Sequence, residues 1–204
     1  MAIFQAFRAL RPVPDKAEAV AALSYDVVSR EEAKEIGDQN PDSFLHVDRA
    51  EMDLPADTDL YDQKVYDRAR ENLINMEKNG ILVQDGAPCY YIYELTRKGK
   101  TQTGLVGCCS IDDYMNGVVK KHELTREDKE QDRIHHVDVC DANTGPIYLA
   151  CKYPQELLDL METWKASHDA VYDFVAEDEI GHRVWVIDGE VEKKVIAEQF
   201  GNIP

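Results

Sequence analysis

Two pairs of β-rich runs, each joined by a short polar turn, restrict this chain more than any other feature of its sequence. Residues 89–95 and 103–111 are rich in tyrosine, isoleucine, valine and threonine, and they flank Arg97-Lys98-Gly99-Lys100. So short a break leaves the two runs to pair antiparallel as a hairpin. Residues 170–176 and 182–187 repeat the arrangement around Glu177-Asp178-Glu179-Ile180-Gly181, with Val171 and Val175 opposing Tyr172 and Phe174 along the first run. Tyr90, Tyr91 and Tyr93 read as cross-strand packing.

Helical periodicity fills much of the remainder. Val65, Ala69, Leu73 and Met76 form an apolar stripe within 60–79, and Gly80 is the expected stop. Ser29 followed by Glu32 is a capping box, which predicts a helix over 30–36 ended by Gly37. Pro154 suits a first helical position ahead of Leu157, Leu158, Met161 and Trp164, and Asp188 can cap a last helix over 189–200. Residues 43–47 read as a brief strand carrying His46, and 146–153 as a buried strand with Ile147, Leu149 and Cys151 inward. The expected architecture is α/β or α+β: a mixed sheet with β-hairpins and flanking helices. A single domain over 1–204 is expected, with a sub-boundary near 80–88. The abrupt Gly201-Asn202-Ile203-Pro204 ending suggests the N-terminal part of a longer protein.

Charge narrows the function. The chain carries a formal net charge of −17, which argues against gripping a nucleic-acid backbone, because phosphate contacts need clustered Lys and Arg. A local nucleotide pocket is compatible with it. Five cysteines with no C-x-x-C pair make a poor disulfide framework and a poor zinc site. Cys108-Cys109 read as core or sheet residues, and no zinc, haem or disulfide is expected. Asp57, Asp59 and Asp62 lack the glycine and closing glutamate of a calcium loop. No apolar run approaches the roughly 18–20 residues of a spanning helix, and no signal-peptide pattern opens the chain, so the expected location is the cytoplasm.

One stretch stands apart from this acidic background. Residues 120–133 hold five basic and five acidic residues plus His122. Thr125 and Asp128 have capping-box spacing and predict a helix from Arg126. Such a helix sets Lys129 and Arg133, and Asp128 and Asp132, one turn apart. His122 and Glu123 precede its N-terminus, a favourable place for an anion. Arg suits a bidentate grip on phosphate and Lys supplies a point charge. The plain alternative is a solvated face of weak ion pairs. His122, His135 and His136 match no metal-ligand spacing.

The ordered set Phe7-Arg8-Ala9-Leu10-Arg11-Pro12, Tyr25-Asp26-Val27-Val28-Ser29, Asn40-Pro41-Asp42-Ser43-Phe44-Leu45-His46-Val47 and His122-Glu123-Leu124-Thr125, with Lys129 to Arg133 after it, resembles the domain of unknown function 1015 family. Its members are prokaryotic proteins often labelled transcriptional regulators. The resemblance marks Tyr25, Asp26 and His46 as motif positions. It also implies kinship with ParB-like and sulfiredoxin-like nucleotide binders and with free-serine kinases. Full-length members are roughly twice this length and carry an Asp-Gly-His-His-Arg string. The nearest string here, Ile187-Asp188-Gly189-Glu190, lacks its histidines and arginine. By the kinase analogy Glu123 is the general base, and His122 an alternative base or orienting group. Thr125, Lys129, Arg133 and Lys121 contact phosphate, and Asp132 holds Arg133 or helps ligate Mg²⁺. The expected ligand is a nucleotide (ATP, ADP or CTP) with Mg²⁺, and the expected reaction a nucleotide-dependent phosphoryl transfer to a small hydroxylated metabolite such as serine. The alternative is a non-catalytic regulatory or structural domain.

Overall fold

The computed structural model describes residues 2–121 and 126–203. In chain order it forms β1 (Phe4–Gln5), β2 (Leu10–Pro12), α1 (Ala17–Val20), α2 (Arg30–Gln39), α3 (Leu45–Asp48), α4 (Gln63–Lys78), β3 (Leu82–Gln84) and β4 (Tyr90–Arg97). There follow β5 (Lys100–Val106), β6 (Cys108–Cys109), α5 (Ile111–Met115), α6 (Glu127–Cys140), α7 (Gln155–Ser167), β7 (Tyr172–Val175), β8 (Gly181–Ile187) and α8 (Glu190–Gly201). The class is mixed α/β with antiparallel strands. Two compact units result: a sheet unit of Met1–Pro14, Gln84–Glu123 and Leu149–Pro204, and a helical unit of Asp15–Val83 and Leu124–Tyr148. No helix among the described residues is long and apolar enough to cross a membrane.

The sheet unit is built on the two hairpins. Lys98 and Gly99 both take positive φ, 50° and 72°, the two-residue turn whose twist matches that of the flanking strands. The strand order is β5-β4-β8-β7, antiparallel throughout. Because side chains alternate along a strand, the register Tyr90↔Ile187 and Ile92↔Trp185 puts four large apolar groups on one face. Leu157, Met161 and Trp164 of α7 cover that face, as do Ile196 and Phe200 of α8 and Phe4 of β1. Glu94 is nearly buried among them, and Lys165 of α7 neutralises it at 2.9 Å. The Phe7 to Pro12 motif is scaffold here. Arg11 grips Asp85 with Nε and Nη2 at 2.9 and 2.8 Å, and its Nη1 donates to the Tyr172 hydroxyl at 3.0 Å.

In the helical unit Ser29 and Glu32 complete the expected capping box at the start of α2. The helix does not stop at Gly37 but runs to Gln39. A Cβ at Gly37 would approach Met52 Cε to 2.5 Å and the His46 ring to 3.2 Å. The methionine end is flexible, so the cost of a side chain there turns on the His46 ring. Val28, Ala33, Leu45 and Met52 form the small core against which α2 lies. Asp62 caps α4, whose Val65, Tyr66, Ala69, Leu73 and Met76 are buried as the periodicity requires, and Gly80 follows with φ 70°.

Several sequence expectations are corrected. Residues 43–47 are not a strand: α3 occupies Leu45–Asp48, and a short apolar run cannot by itself distinguish the two states. Residues 146–153 form no strand either, and Ile147 and Leu149 are exposed. Unlike the hairpin runs, this stretch has no turn-linked partner to pair with. Cys108 and Cys109 do lie in a strand, paired with Phe4–Gln5, but both are exposed. Residues 112–117, which resemble a plain turn, include most of α5, capped by Ser110. The N-cap of α8 is Gly189 rather than Asp188.

The packing around Gly37 generates a sharp expectation. In an open helix, replacing glycine gains up to about 1 kcal/mol. Gly37→Val instead forces Met52 and His46 aside and should destabilise the protein by about 1–3 kcal/mol, read as a lower urea midpoint. A variant as stable as the wild type would show that the core yields freely there.

Candidate functional site

Helix α6 carries the site. It starts at Glu127, one residue later than the capping pattern implies. Arg126 is its N-cap, in an extended conformation and with no side-chain capping bond. Arg126 pairs instead with Asp128 at 2.7 Å, in solvent. The Thr125 cap lies outside the described residues, as do the catalytic candidates His122 and Glu123.

Lys129, Asp132, Arg133 and His136 recur at i, i+3, i+4 and i+7, so they share one face of α6. That face lines a cleft of the helical unit together with Tyr25, Asp48, Arg49, Glu51 and Tyr66. Asp132 is the hub. Its Oδ1 accepts from the Tyr66 hydroxyl at 2.9 Å, and its Oδ2 faces Arg133 Nη2 at 3.0 Å. Tyr66 comes from α4, so this one carboxylate joins two helices. Burial first, and then the bond to Asp132, pushes the Tyr66 phenol well above its ordinary pKa, which keeps it a donor. The Arg133 guanidinium lies 4.3 Å from the centroid of the Tyr25 ring, a cation–π contact. Held on two sides, Arg133 still exposes 29% of its side chain. Lys129 is exposed one turn away on the same face.

Deeper groups complete the lining. Arg49 donates to the Tyr25 carbonyl at 2.8 Å. Its Nε stands 2.7 Å from Glu51, close enough for an ion pair although the N–H direction misses a good hydrogen bond. His136 is 3% exposed, and its Nε2 bonds the Val47 carbonyl at 3.1 Å. Burial holds that imidazole below its ordinary pKa, so the ring is neutral, Nε2 carries the proton and Nδ1 is an acceptor. Among the described residues, Nδ1 has no hydrogen-bond partner, nor has Oδ1 of Asp48.

The sequence candidates therefore divide. Lys129, Asp132, Arg133 and Tyr25 are brought together. Asp26 is not, since it faces solvent and accepts from the Ser24 hydroxyl. Lys121 belongs to the sheet unit, where its ammonium is 4.9 Å from the Tyr114 ring. His46 makes a separate clasp: Nδ1 donates to Asp53 at 2.9 Å, Nε2 faces the Gly37 carbonyl at 3.3 Å, and Asn72 donates to Asp53 at 2.7 Å. Asp132 holds Arg133 through Oδ2 and Tyr66 through Oδ1. Among the described residues, no three metal-ligating side chains converge. Sequence reasoning missed Asp48, Arg49 and Tyr66 and set His136 aside. The i+7 spacing from Lys129 could have found His136. Nothing local marks the other three.

These features define the class first: an α/β protein whose helical unit has a cleft lined by two held guanidinium groups, Arg49 and Arg133. The model of the family described as "Protein of unknown function (DUF1015)" matches residues 4–204, and the chain belongs to that family. No curated protein and no solved structure matches it.

The His46 clasp makes pH a probe of the helical unit. The bond to Asp53 raises the His46 pKa against the opposing effect of burial. For Asp53, burial pushes upward, but the bonds from His46 and Asn72 prevail and hold it below its ordinary value. The clasp therefore stabilises fully below about pH 6.5, the ordinary histidine value, and weakens as pH rises through the higher folded-state value. At the acid end it is lost only as pH falls through the lowered Asp53 value. Asp53→Asn should cost more stability at about pH 6 than at about pH 9 in parallel urea titrations. An equal cost at both would deny the clasp its charge.

Proposed function

We propose that this protein binds nucleotide, with the phosphates meeting Lys129 and Arg133 at the rim of the helical unit's cleft. The observation that carries this reading is the state of Arg133. Asp132 and Tyr25 fix its guanidinium before any ligand arrives, so little side-chain entropy is lost on binding. A cation held in place at the mouth of a cleft suits an anion, and Lys129 one turn away adds a second charge. The cleft encloses about 60 Å³, room for a small group of atoms, so base and ribose stay outside it. Mg²⁺ would arrive on the phosphates, since Asp132 is already engaged.

The same reading extends to phosphoryl transfer. Glu123, with His122 beside it in sequence, is then the base that takes a proton from a small hydroxylated acceptor such as serine. A purely structural role accounts for the Tyr66–Asp132–Arg133 bonds but gives Lys129 no task.

Melting curves with ATP, ADP and CTP test the binding. Ligand at a hundred times its Kd should stabilise the fold by about 2.7 kcal/mol, a rise of a few degrees that Arg133→Ala abolishes. If Arg133→Ala only lowers the melting temperature and no nucleotide moves the wild type, the cluster is scaffold. Where nucleotide-dependent turnover is found, Glu123→Gln should stop it and leave the melting shift intact. Surviving turnover would remove Glu123 from the role of base.

A further inference from the structure

The four-stranded sheet of the sheet unit ends on β5, and the outer side of that strand is open. The Lys98-Gly99 turn closes the hairpin with Arg97 facing Lys100, and bonded pairs alternate from there. Leu95 with Gln102, Tyr93 with Gly104 and Tyr91 with Val106 exchange the bonds to β4. The residues between them, Thr101, Thr103 and Leu105, turn their backbone N–H and C=O groups away from the sheet. Leu105 bears out this parity, because its N–H donates to the Tyr153 hydroxyl at 3.3 Å instead of to β4. Among the described residues, the backbone N–H and C=O groups of Thr101 and Thr103 have no hydrogen-bond partner.

An open edge is a template for one more strand, and proteins commonly blunt it with proline, a bulge or charge. Residues 101–106 of β5 have none of these: they read Thr-Gln-Thr-Gly-Leu-Val in unbroken register with β4. Charge is confined to the turn, where Arg97, Lys98 and Lys100 are exposed. No Asp or Glu occurs between Glu94 and Asp112, in a chain whose net charge is −17. The acidic Glu177-Asp178-Glu179 turn joins β7 to β8, at the other side of the sheet from β5. Gly104 adds room on the face it shares with Gln102 and Lys100, since nothing lies within 4 Å of where its Cβ would be.

We propose that β5 receives an antiparallel strand from a partner protein, an extended segment that is acidic at its C-terminal end. Antiparallel pairing gives that segment bonds to both outward groups of Thr101 and of Thr103, and it brings the segment's C-terminal end to the basic turn. A carboxylate opposite Lys100 makes a favourable cross-strand pair, and a large side chain four residues earlier covers Gly104. Charge decides against a second copy of this chain. Two β5 edges paired about a two-fold axis also exchange hydrogen bonds, but residues 101–106 offer no carboxylate to the basic turns, and the two copies repel overall. The edge belongs to the sheet unit and is independent of the nucleotide reading of the helical unit's cleft.

Three synthetic peptides test this on the intact chain. The first is acetyl-Tyr-Thr-Val-Thr-Glu-Ser-Glu-amide. The second carries lysine in place of both glutamates, and the third is the first with both threonine nitrogens methylated, which removes its donors to β5. Affinity is read by fluorescence anisotropy, and the edge itself by amide hydrogen exchange at Thr101 and Thr103. Both amides should exchange rapidly in the dilute chain alone and at least tenfold more slowly with the first peptide bound. The first should bind at least tenfold tighter than the second, the third should not bind, and Lys100→Glu should shrink the advantage of the first over the second. Failure of the first peptide to bind, binding that leaves the two amides unprotected, or amides already protected in the dilute chain overturns the edge as the site. Equal affinity for the first and third peptides denies strand pairing, and equal affinity for the first and second denies the acidic partner. Protection that grows with protein concentration and comes with a doubled mass makes a second copy the occupant, and the proposal falls. Exchange is read in the wild type, so the edge is tested whether or not the variant folds.

Discussion

Asp132 is the constraint on which the helical unit's cleft depends. A carboxylate so nearly buried, with its side chain 11% exposed, is tolerable only if its oxygens are bonded and its charge is met. Tyr66 supplies the first from α4, and Arg133 supplies the second from the same helix as Asp132. The consequence reaches beyond charge. With Asp132 fixed from two directions, the α6 face from Lys129 to His136 has a set rotation, and Arg133 is delivered onto the Tyr25 ring. One ion therefore determines which residues of a charge-dense helix look inward.

The same logic separates interactions that build the fold from those that leave chemistry over. Arg11 with Asp85, Glu94 with Lys165 and His46 with Asp53 are closed sets: each charge or donor in them has an answer. Among the residues that line the cleft the set stays open, because Oδ1 of Asp48 and Nδ1 of His136 are buried with no hydrogen-bond partner among the described residues. Buried polar groups are normally satisfied because the interior gives them no water to fall back on. An open set beside a cleft is thus a different kind of observation from a charged helix, which most proteins possess. It is also independent of the basic rim that carries the nucleotide reading.

The family motifs take on a physical meaning once placed. Arg11 is a brace in the sheet unit, Ser29 a helix cap, and Leu45 and Val47 are buried, with Leu45 in the small core. His46 belongs to a clasp with Asp53, and Tyr25 is the plate on which Arg133 rests. Most of these motif residues keep the architecture. Among the described motif residues, only Tyr25 and the α6 residues stand out as cleft-lining groups with chemistry to offer, so motif membership and a functional position are not the same thing.

Both hairpins, the Ser29 cap and the buried stripe of α4 were legible in the sequence, since each follows from backbone and solvation rules acting over a few residues. Residues 43–47 and 146–153 were not, because a short apolar run satisfies strand and helix alike until a partner decides. The site divides in the same way. Helical spacing alone aligns Lys129, Asp132 and Arg133, and would have added His136. Tyr66 lies 66 positions before Asp132 in the chain, Asp48 and Arg49 lie further still, and no local pattern links any of them to it. Their meeting is a product of tertiary packing: the burial of α4 and α6 against each other sets Tyr66 opposite Asp132 and closes a cleft around charges that the sequence shows only as separate letters.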